Sequence, residues 1–167
     1  QTDMLSTDIL WAVYDLNSGS ITFDFAHFLA SAESFGKKHG KSKFFVILVH
    51  KENFSLVDKE YLDVASKESQ KWRFNNIIVQ LAQLYPACIG YSSVPRDSEI
   101  LNQISNKLVY PVGYSSTYQP ILNYKEVFKL LNMNIFSGFQ APKQGLHYIH
   151  KWKKINNILN PMVVITL

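Results

Sequence analysis

The sequence predicts an α/β fold, a mostly parallel sheet with helices on both faces. Three observations carry this. Short apolar runs alternate along the chain with longer segments whose apolar residues recur every three or four positions. Several runs are apolar at consecutive positions, as strands buried on both faces require. The chain has 167 residues, 47% of them hydrophobic, with eleven Phe and nine Tyr; that is enough to form one such domain around its own core.

Taken in order, Ile9–Tyr14 reads as a buried strand that ends in the polar turn Asp15-Leu16-Asn17-Ser18-Gly19-Ser20. Residues 23–38 read as a helix with Phe25, Phe28, Leu29, Ala32 and Phe35 on its apolar face, Lys37 and Lys38 in its last turn and Gly40 just beyond. Phe44–Val49 is a second continuous apolar strand. The stretch 51–66 is polar, and Ser55-Leu56-Val57-Asp58 has the look of a capping box for a short helix. A longer helix follows from about 67 to 84, with Phe74, Ile77, Ile78, Leu81 and Ala82 inward, and Pro86 ends it. Ala87–Tyr91 is the third strand, and Pro95-Arg96-Asp97 opens a helix bearing Ile100, Leu101 and Ile104. Val109–Val112 forms a fourth strand interrupted at Pro111. Asn123-Tyr124-Lys125-Glu126 caps a helix carrying Val127, Phe128 and Leu131, and 133–140 is a loop or short strand. Pro142 suits a first helical turn, and Leu146, Ile149, Trp152 and Ile155 continue that helix. The β-branched run Pro161–Leu167 reads as one more strand. We therefore expect a Rossmann-like domain over 1–160, with 161–167 as the start of a crossover strand into a second domain.

The net charge is +4 and the pI about 9.1. Lysines cluster at Lys37, Lys38, Lys41 and Lys43 and again at Lys143, Lys151, Lys153 and Lys154, whereas Arg73 and Arg96 are the chain's two arginines. Nucleic-acid binders carry denser Arg and Lys, so nucleic acid is not an expected partner. Lysines near helix ends are most simply a solvated face that suits the helix dipole. The single cysteine, Cys88, stands in an apolar run and has no internal disulfide partner, which fits a small buried hydrophobe in a reducing cytoplasm. No apolar run reaches the length of a transmembrane helix.

In a parallel sheet of this kind, ligands bind beyond the carboxyl ends of the strands. That rule places Asp15, Asn17 and Ser18 after the first strand, His50 after the second, Ser92 and Ser93 after the third, and Tyr114 after the fourth. His50 is the candidate general base and Asp24 its reserve, against the plainer reading of a capped or half-buried histidine. The loop Asn17-Ser18-Gly19-Ser20 lacks both the GxGxxG fingerprint and the Gly-Lys-Ser/Thr of a P-loop; it reads first as an ordinary strand-to-helix turn. Asp24 and His27 are spaced to pair. His147 and His150 have i, i+3 spacing and no adjacent carboxylate, so no metal is expected. Arg73 and Asn76 share one face of a mostly apolar helix, and such an arginine either pairs with an acid of the fold or binds a carboxylate or phosphate.

The segments Tyr14-Asp15, Thr22-Phe23-Asp24-Phe25-Ala26-His27-Phe28-Leu29, Ala32-Glu33, Phe45–Val49 and Trp72-Arg73-Phe74-Asn75-Asn76-Ile77 resemble the N-terminal half of bacterial glycosyltransferase-like proteins of the GT-B type. The later segments Phe139-Gln140-Ala141-Pro142, His147-Tyr148-Ile149, Trp152 and Val163–Leu167 look like that family's crossover into its second domain. The resemblance implies one half of a GT-B architecture, with the carbohydrate acceptor held here and the nucleotide-sugar donor held mainly by the other half. It implies a role in surface polysaccharide or glycoconjugate synthesis, with no further cofactor and with no transfer by this part alone. Asp15, Asn17, Ser18, Arg73, Ser92 and Tyr114 would then contact substrate, with His50 or Asp24 as base. The rival readings are a non-catalytic Rossmann-like module that binds a carbohydrate or nucleotide or mediates assembly, and a self-contained flavodoxin-like binding protein.

Overall fold

The computed structural model describes residues 9–50, 66–115 and 124–158 of the chain. Its strands are β1 (Leu10–Asp15), β2 (Phe44–His50), β3 (Cys88–Pro95) and β4 (Val109–Tyr110). Its helices are α1 (Asp24–Lys38), α2 (Lys67–Arg73), α3 (Val79–Gln83), α4 (Glu99–Gln103), α5 (Tyr124–Asn132) and α6 (Lys143–Ile155), with a π-helical turn, Phe74–Ile78, joining α2 to α3. The four strands form one sheet in the order β3-β2-β1-β4, and every neighbouring pair is parallel. The expected α/β, Rossmann-like fold is therefore what the chain adopts. The expected short helix within 51–65, the capping residue Asn123 and the strand at 161–167 lie outside the described residues.

The two faces of the sheet follow from strand alternation. Leu10, Ala12 and Tyr14 of β1, with Phe44, Val46 and Leu48 of β2, pack against Phe25, Phe28 and Leu29 of α1, Phe74, Ile78 and Ala82 of the α2–α3 segment, and Leu130 of α5. Trp11, Val13, Ile47 and Val49 point the other way and meet Val94, Leu101 and Ile104 around α4. All six residues of β1 are buried, which explains why its sequence is apolar almost throughout. The aromatic residues fill the α1 face as a connected group: Tyr14 lies edge-on to Phe25 at 4.8 Å, Phe28 sits 4.9 Å from Tyr14, and Tyr110 sits 5.6 Å from Phe28.

The end of α1 is built as its sequence suggests. Gly40 takes a φ of +75°, and the Lys41 amide returns to the Gly36 carbonyl at 2.8 Å, closing the helix with a left-handed residue that glycine adopts without strain. Several element boundaries differ from expectation, and β4 stops at Tyr110, before Pro111 and Val112. β3 continues through Ser92 and Ser93, which stand in register with Ile47 and Leu48 of β2 and do not lie beyond the strand. Among the described residues β3 is an edge strand, paired with β2 on one side, so its residues need not be apolar. The next helix accordingly starts at Glu99 after Ser98, and Pro95 closes the strand.

Away from the strands' carboxyl ends, a buried carboxylate fixes the chain's later loop. Glu33 of α1 is 3% exposed. Its Oε1 pairs with the Lys37 ammonium at 2.8 Å, and its Oε2 accepts from Tyr85 at 2.9 Å and from the Ser137 amide and hydroxyl at 2.7 and 3.0 Å. Lys37 also donates to the Ile135 carbonyl, and the Gln140 amide donates to Leu84. Burial alone would raise the carboxyl pKa, but these donors outweigh it and hold Glu33 below the usual carboxylate range. Burial, then Glu33 itself, pushes the Tyr85 hydroxyl up, so it stays a donor. Because the folded-state pKa of Glu33 lies below its unfolded value, its contribution is present at neutral pH and is lost as the pH falls through the folded value. We expect Glu33→Gln to cost about 2 kcal/mol, seen as a fall of about 4–8 °C in melting temperature at pH 7. The gap between wild type and variant should close towards pH 3; a gap that stays constant across that range would show that the carboxylate charge does not matter.

Candidate functional site

In the order β3-β2-β1-β4, the chain moves outward from β1 in one direction through β2 and β3, then returns to place β4 on the other side of β1. Crevices form at such reversals, outside the carboxyl ends of the strands. Asp15, the last residue of β1, stands at that point, and its side chain is 5% exposed. Its Oδ2 accepts from the Arg96 guanidinium after β3 and from the Tyr114 hydroxyl after β4, both at 3.3 Å. Its Oδ1 accepts from the Asn17 amide at 2.9 Å and the Asn17 side-chain Nδ2 at 2.7 Å. One carboxylate thus ties together the loops that leave three strands.

The loop after β1 is wound on the same residue. The amides of Ser18 and Gly19 donate to the Asp15 carbonyl at 3.1 and 2.7 Å, completing an aspartate-led turn. Gly19 is required by its neighbour: a Cβ there would lie 2.6 Å from the Tyr14 ring, whose hydroxyl donates to the Ser20 carbonyl at 2.7 Å. The Asn17 Oδ1 is buried with no hydrogen-bond partner. Burial comes first and the Asp15 charge second in raising the Tyr114 pKa, with Arg96 opposing; the phenol remains a protonated donor. Arg96 differs from the others in exposure, with 44% of its side chain open to solvent. A guanidinium held at one nitrogen by a buried carboxylate keeps its remaining donors directed outward, a suitable arrangement for planar anionic or hydroxyl-rich ligands.

The sequence-derived candidates divide on this geometry. Asp15, Asn17 and Tyr114 meet in one cluster, and Ser18 lies in the same turn. Arg96 belongs to the cluster, although the sequence pattern marks it only as a helix opener; with the third strand extended to Pro95 it stands after a carboxyl end. His50 is the last residue of β2, half-buried and in register with Pro95. Strand alternation puts it on the α1 side with Leu48, whereas Asp15 belongs to the α4 side with Val13. Asp24 is exposed in the first turn of α1, and its Oδ2 accepts from the Ser20 and Thr22 hydroxyls, each at 3.0 Å. That is the bonding of a helix-start carboxylate. Ser92 lies within β3. Arg73 ends α2 and takes no part in the Asp15 cluster, and Asn76 donates back to the Trp72 carbonyl at 2.8 Å. Cys88 donates to the Gly90 carbonyl, and burial pushes its thiol up to about 11, so it is not a reactive thiolate.

Among the described residues, no three His, Cys, Asp or Glu side chains gather as a metal site, and no helix is long and apolar enough to cross a membrane. No family model, curated protein or solved structure matches this chain. The site therefore stands on its own geometry.

Asp15→Ala would strand the Tyr114 hydroxyl and the Asn17 donors and release Arg96, at a cost of about 2–3 kcal/mol by denaturant unfolding. In a double-mutant cycle with Tyr114→Phe, we expect the two losses to fall short of additivity by about 1 kcal/mol; strict additivity would mean that this hydrogen bond contributes nothing.

Proposed function

We propose that this chain is the acceptor-side domain of a sugar-transferring enzyme of the GT-B type, acting in surface polysaccharide or glycoconjugate synthesis. The observation that carries the reading is the position of Asp15, Arg96 and Tyr114 at the sheet's topological switch point, where folds of this class place their ligands. Such a cluster suits a polyol: the half-exposed Arg96 offers donors, and the aromatic Tyr114 gives a sugar ring an apolar edge to rest against. The resemblance of the Thr22–Leu29 and Trp72–Ile77 segments to glycosyltransferase-like proteins supports the same reading.

In this reading Asp15 orients and does not react, because its oxygens already accept several hydrogen bonds. His50, at the neighbouring strand end, serves as base. It takes the proton from an acceptor hydroxyl as that oxygen attacks the anomeric carbon of a nucleotide-sugar, and the nucleoside diphosphate departs with the bonding pair. The donor would be held mainly by a second domain.

The second reading, a binding module without turnover, draws on the same engaged carboxylate: a site whose acid is committed to holding loops is suited to recognition. The two separate by experiment. Titration of this chain with a panel of acceptor oligosaccharides and nucleotide-sugars, followed by NMR, should perturb the loops after β1, β3 and β4. Arg96→Ala should weaken that binding about tenfold or more, since it removes a charge-assisted contact. In the protein joined to its donor-binding half, His50→Ala should reduce transfer at least about a hundredfold with the fold intact. Unchanged transfer would remove His50 as base, and saturable binding with no turnover would favour the module.

A further inference from the structure

We propose that α6 is an interfacial helix that seats the protein on an anionic lipid surface. Its 13 residues include none that is buried, whereas α1 to α5 each bury at least one side chain on the sheet or its covering layer. Yet the sequence of α6 is strongly amphipathic. At 100° per residue, Leu146, Ile149, Trp152, Tyr148 and Ile155 fall on one half of the helix. Lys143, His147, His150, Lys151 and Lys154 fall on the other, and Lys153 lies near one edge of the apolar half, between Ile149 and Leu146. The apolar side chains are open: Leu146 is 49% exposed, Tyr148 63% and Ile155 68%. A periodic apolar stripe normally faces a core; this one is left largely open to solvent.

The charge pattern selects the occupant. No Asp or Glu follows Glu126 in the sequence, so the basic half of α6 is unrelieved by acids of its own or of the segment leading into it. A second copy seated on the apolar half would leave these lysines without a counter-charge from this helix. An anionic bilayer satisfies both halves at once. Leu146, Ile149 and Ile155 enter the acyl boundary, Trp152 and Tyr148 sit at headgroup depth, and the lysines extend their stems to the phosphates. Partial exposure of Trp152 and an apolar sector of about half the helix circumference match a helix lying in the membrane plane. The inference is independent of the Asp15 site.

The test is co-sedimentation of the whole chain with vesicles of phosphatidylcholine mixed with phosphatidylglycerol, and with vesicles of phosphatidylcholine alone. We expect binding to the mixed vesicles, weakened by salt, and little to the neutral ones. The Trp152 emission, isolated as the difference from Trp152→Phe, should shift to the blue on binding. Lys151→Ala/Lys154→Ala should weaken association about thirtyfold, and Trp152→Ala/Ile155→Ala should weaken it as well. These side chains are exposed, so circular dichroism should show all variants folded. Absence of binding to the mixed vesicles, equal binding to both kinds, or indifference to both double variants would overturn the proposal. So would self-association abolished by Trp152→Ala/Ile155→Ala without vesicle binding, which would assign the face to a second copy.

Discussion

A carboxylate at the end of a strand buried on both faces must be met by donors, because an unpaired charge in that setting costs far more than a loop's worth of ordering. β1 is such a strand, and Asp15 is its last residue. Its oxygens require hydrogen-bond donors from outside β1 itself, and the chain supplies them from the turn at Asn17, from Arg96 after β3 and from Tyr114 after β4. Arg96 and Tyr114 are far from Asp15 in sequence. What brings them together is the strand order, which sets β1 between β2 and β4 and makes its carboxyl end the point where the loops converge. The geometry of the candidate site is thus a consequence of satisfying one buried charge.

Glu33 obeys the same constraint elsewhere in the molecule. It lies on the central buried helix and collects a lysine, a tyrosine and a serine, the last from the segment that leads to α6. The two carboxylates differ in what their partners are used for. Lys37 is 35% exposed, but its ammonium serves both Glu33 and the Ile135 carbonyl, so it ties α1 to the later loop. At Asp15 one partner, Arg96, remains 44% exposed. A buried acid that fixes an accessible guanidinium preorganises it for a ligand; a buried acid that fixes a loop only stabilises it.

How much of this was legible in the sequence depended on what each feature rests on. β1, β2 and α1 could be read to within a residue or so because their signals are local: consecutive apolar residues for a strand buried on both faces, and a three- and four-residue repeat closed by Lys37, Lys38 and Gly40. β3 could be located but not bounded. Its second half, Ser92-Ser93-Val94-Pro95, carries little strand character, and it is strand because the backbone of β2 is there to pair with. That extension moved Ser92 into the sheet and left Arg96 as the residue that emerges at its end. The π-helical turn at Phe74–Ile78 has no signature in the spacing either, since the apolar positions suit an unbroken α-helix nearly as well. Asp15, Asn17 and Tyr114 were legible as loop residues after strands, but their convergence depended on strand order, which no local pattern encodes.

The same reasoning bears on which residue can do chemistry. Sequence position ranks His50, at a strand end, ahead of Asp24, near a helix start. Their surroundings separate them. Asp24 takes the hydroxyls of Ser20 and Thr22 and sits where the α1 dipole favours a negative charge, so its oxygens serve the helix start. His50 closes β2 beside the strand end that carries Arg96, but alternation turns it toward α1 and away from Asp15. A substrate that touched both Arg96 and His50 would therefore have to lie across the top edge of the sheet, over the ends of β2 and β3, and not within either face. An extended acceptor of several linked rings can cover that edge, whereas a compact nucleotide seated against Asp15 reaches only one side of it. Within the proposed reading, this geometry suits an acceptor better than a donor on this domain.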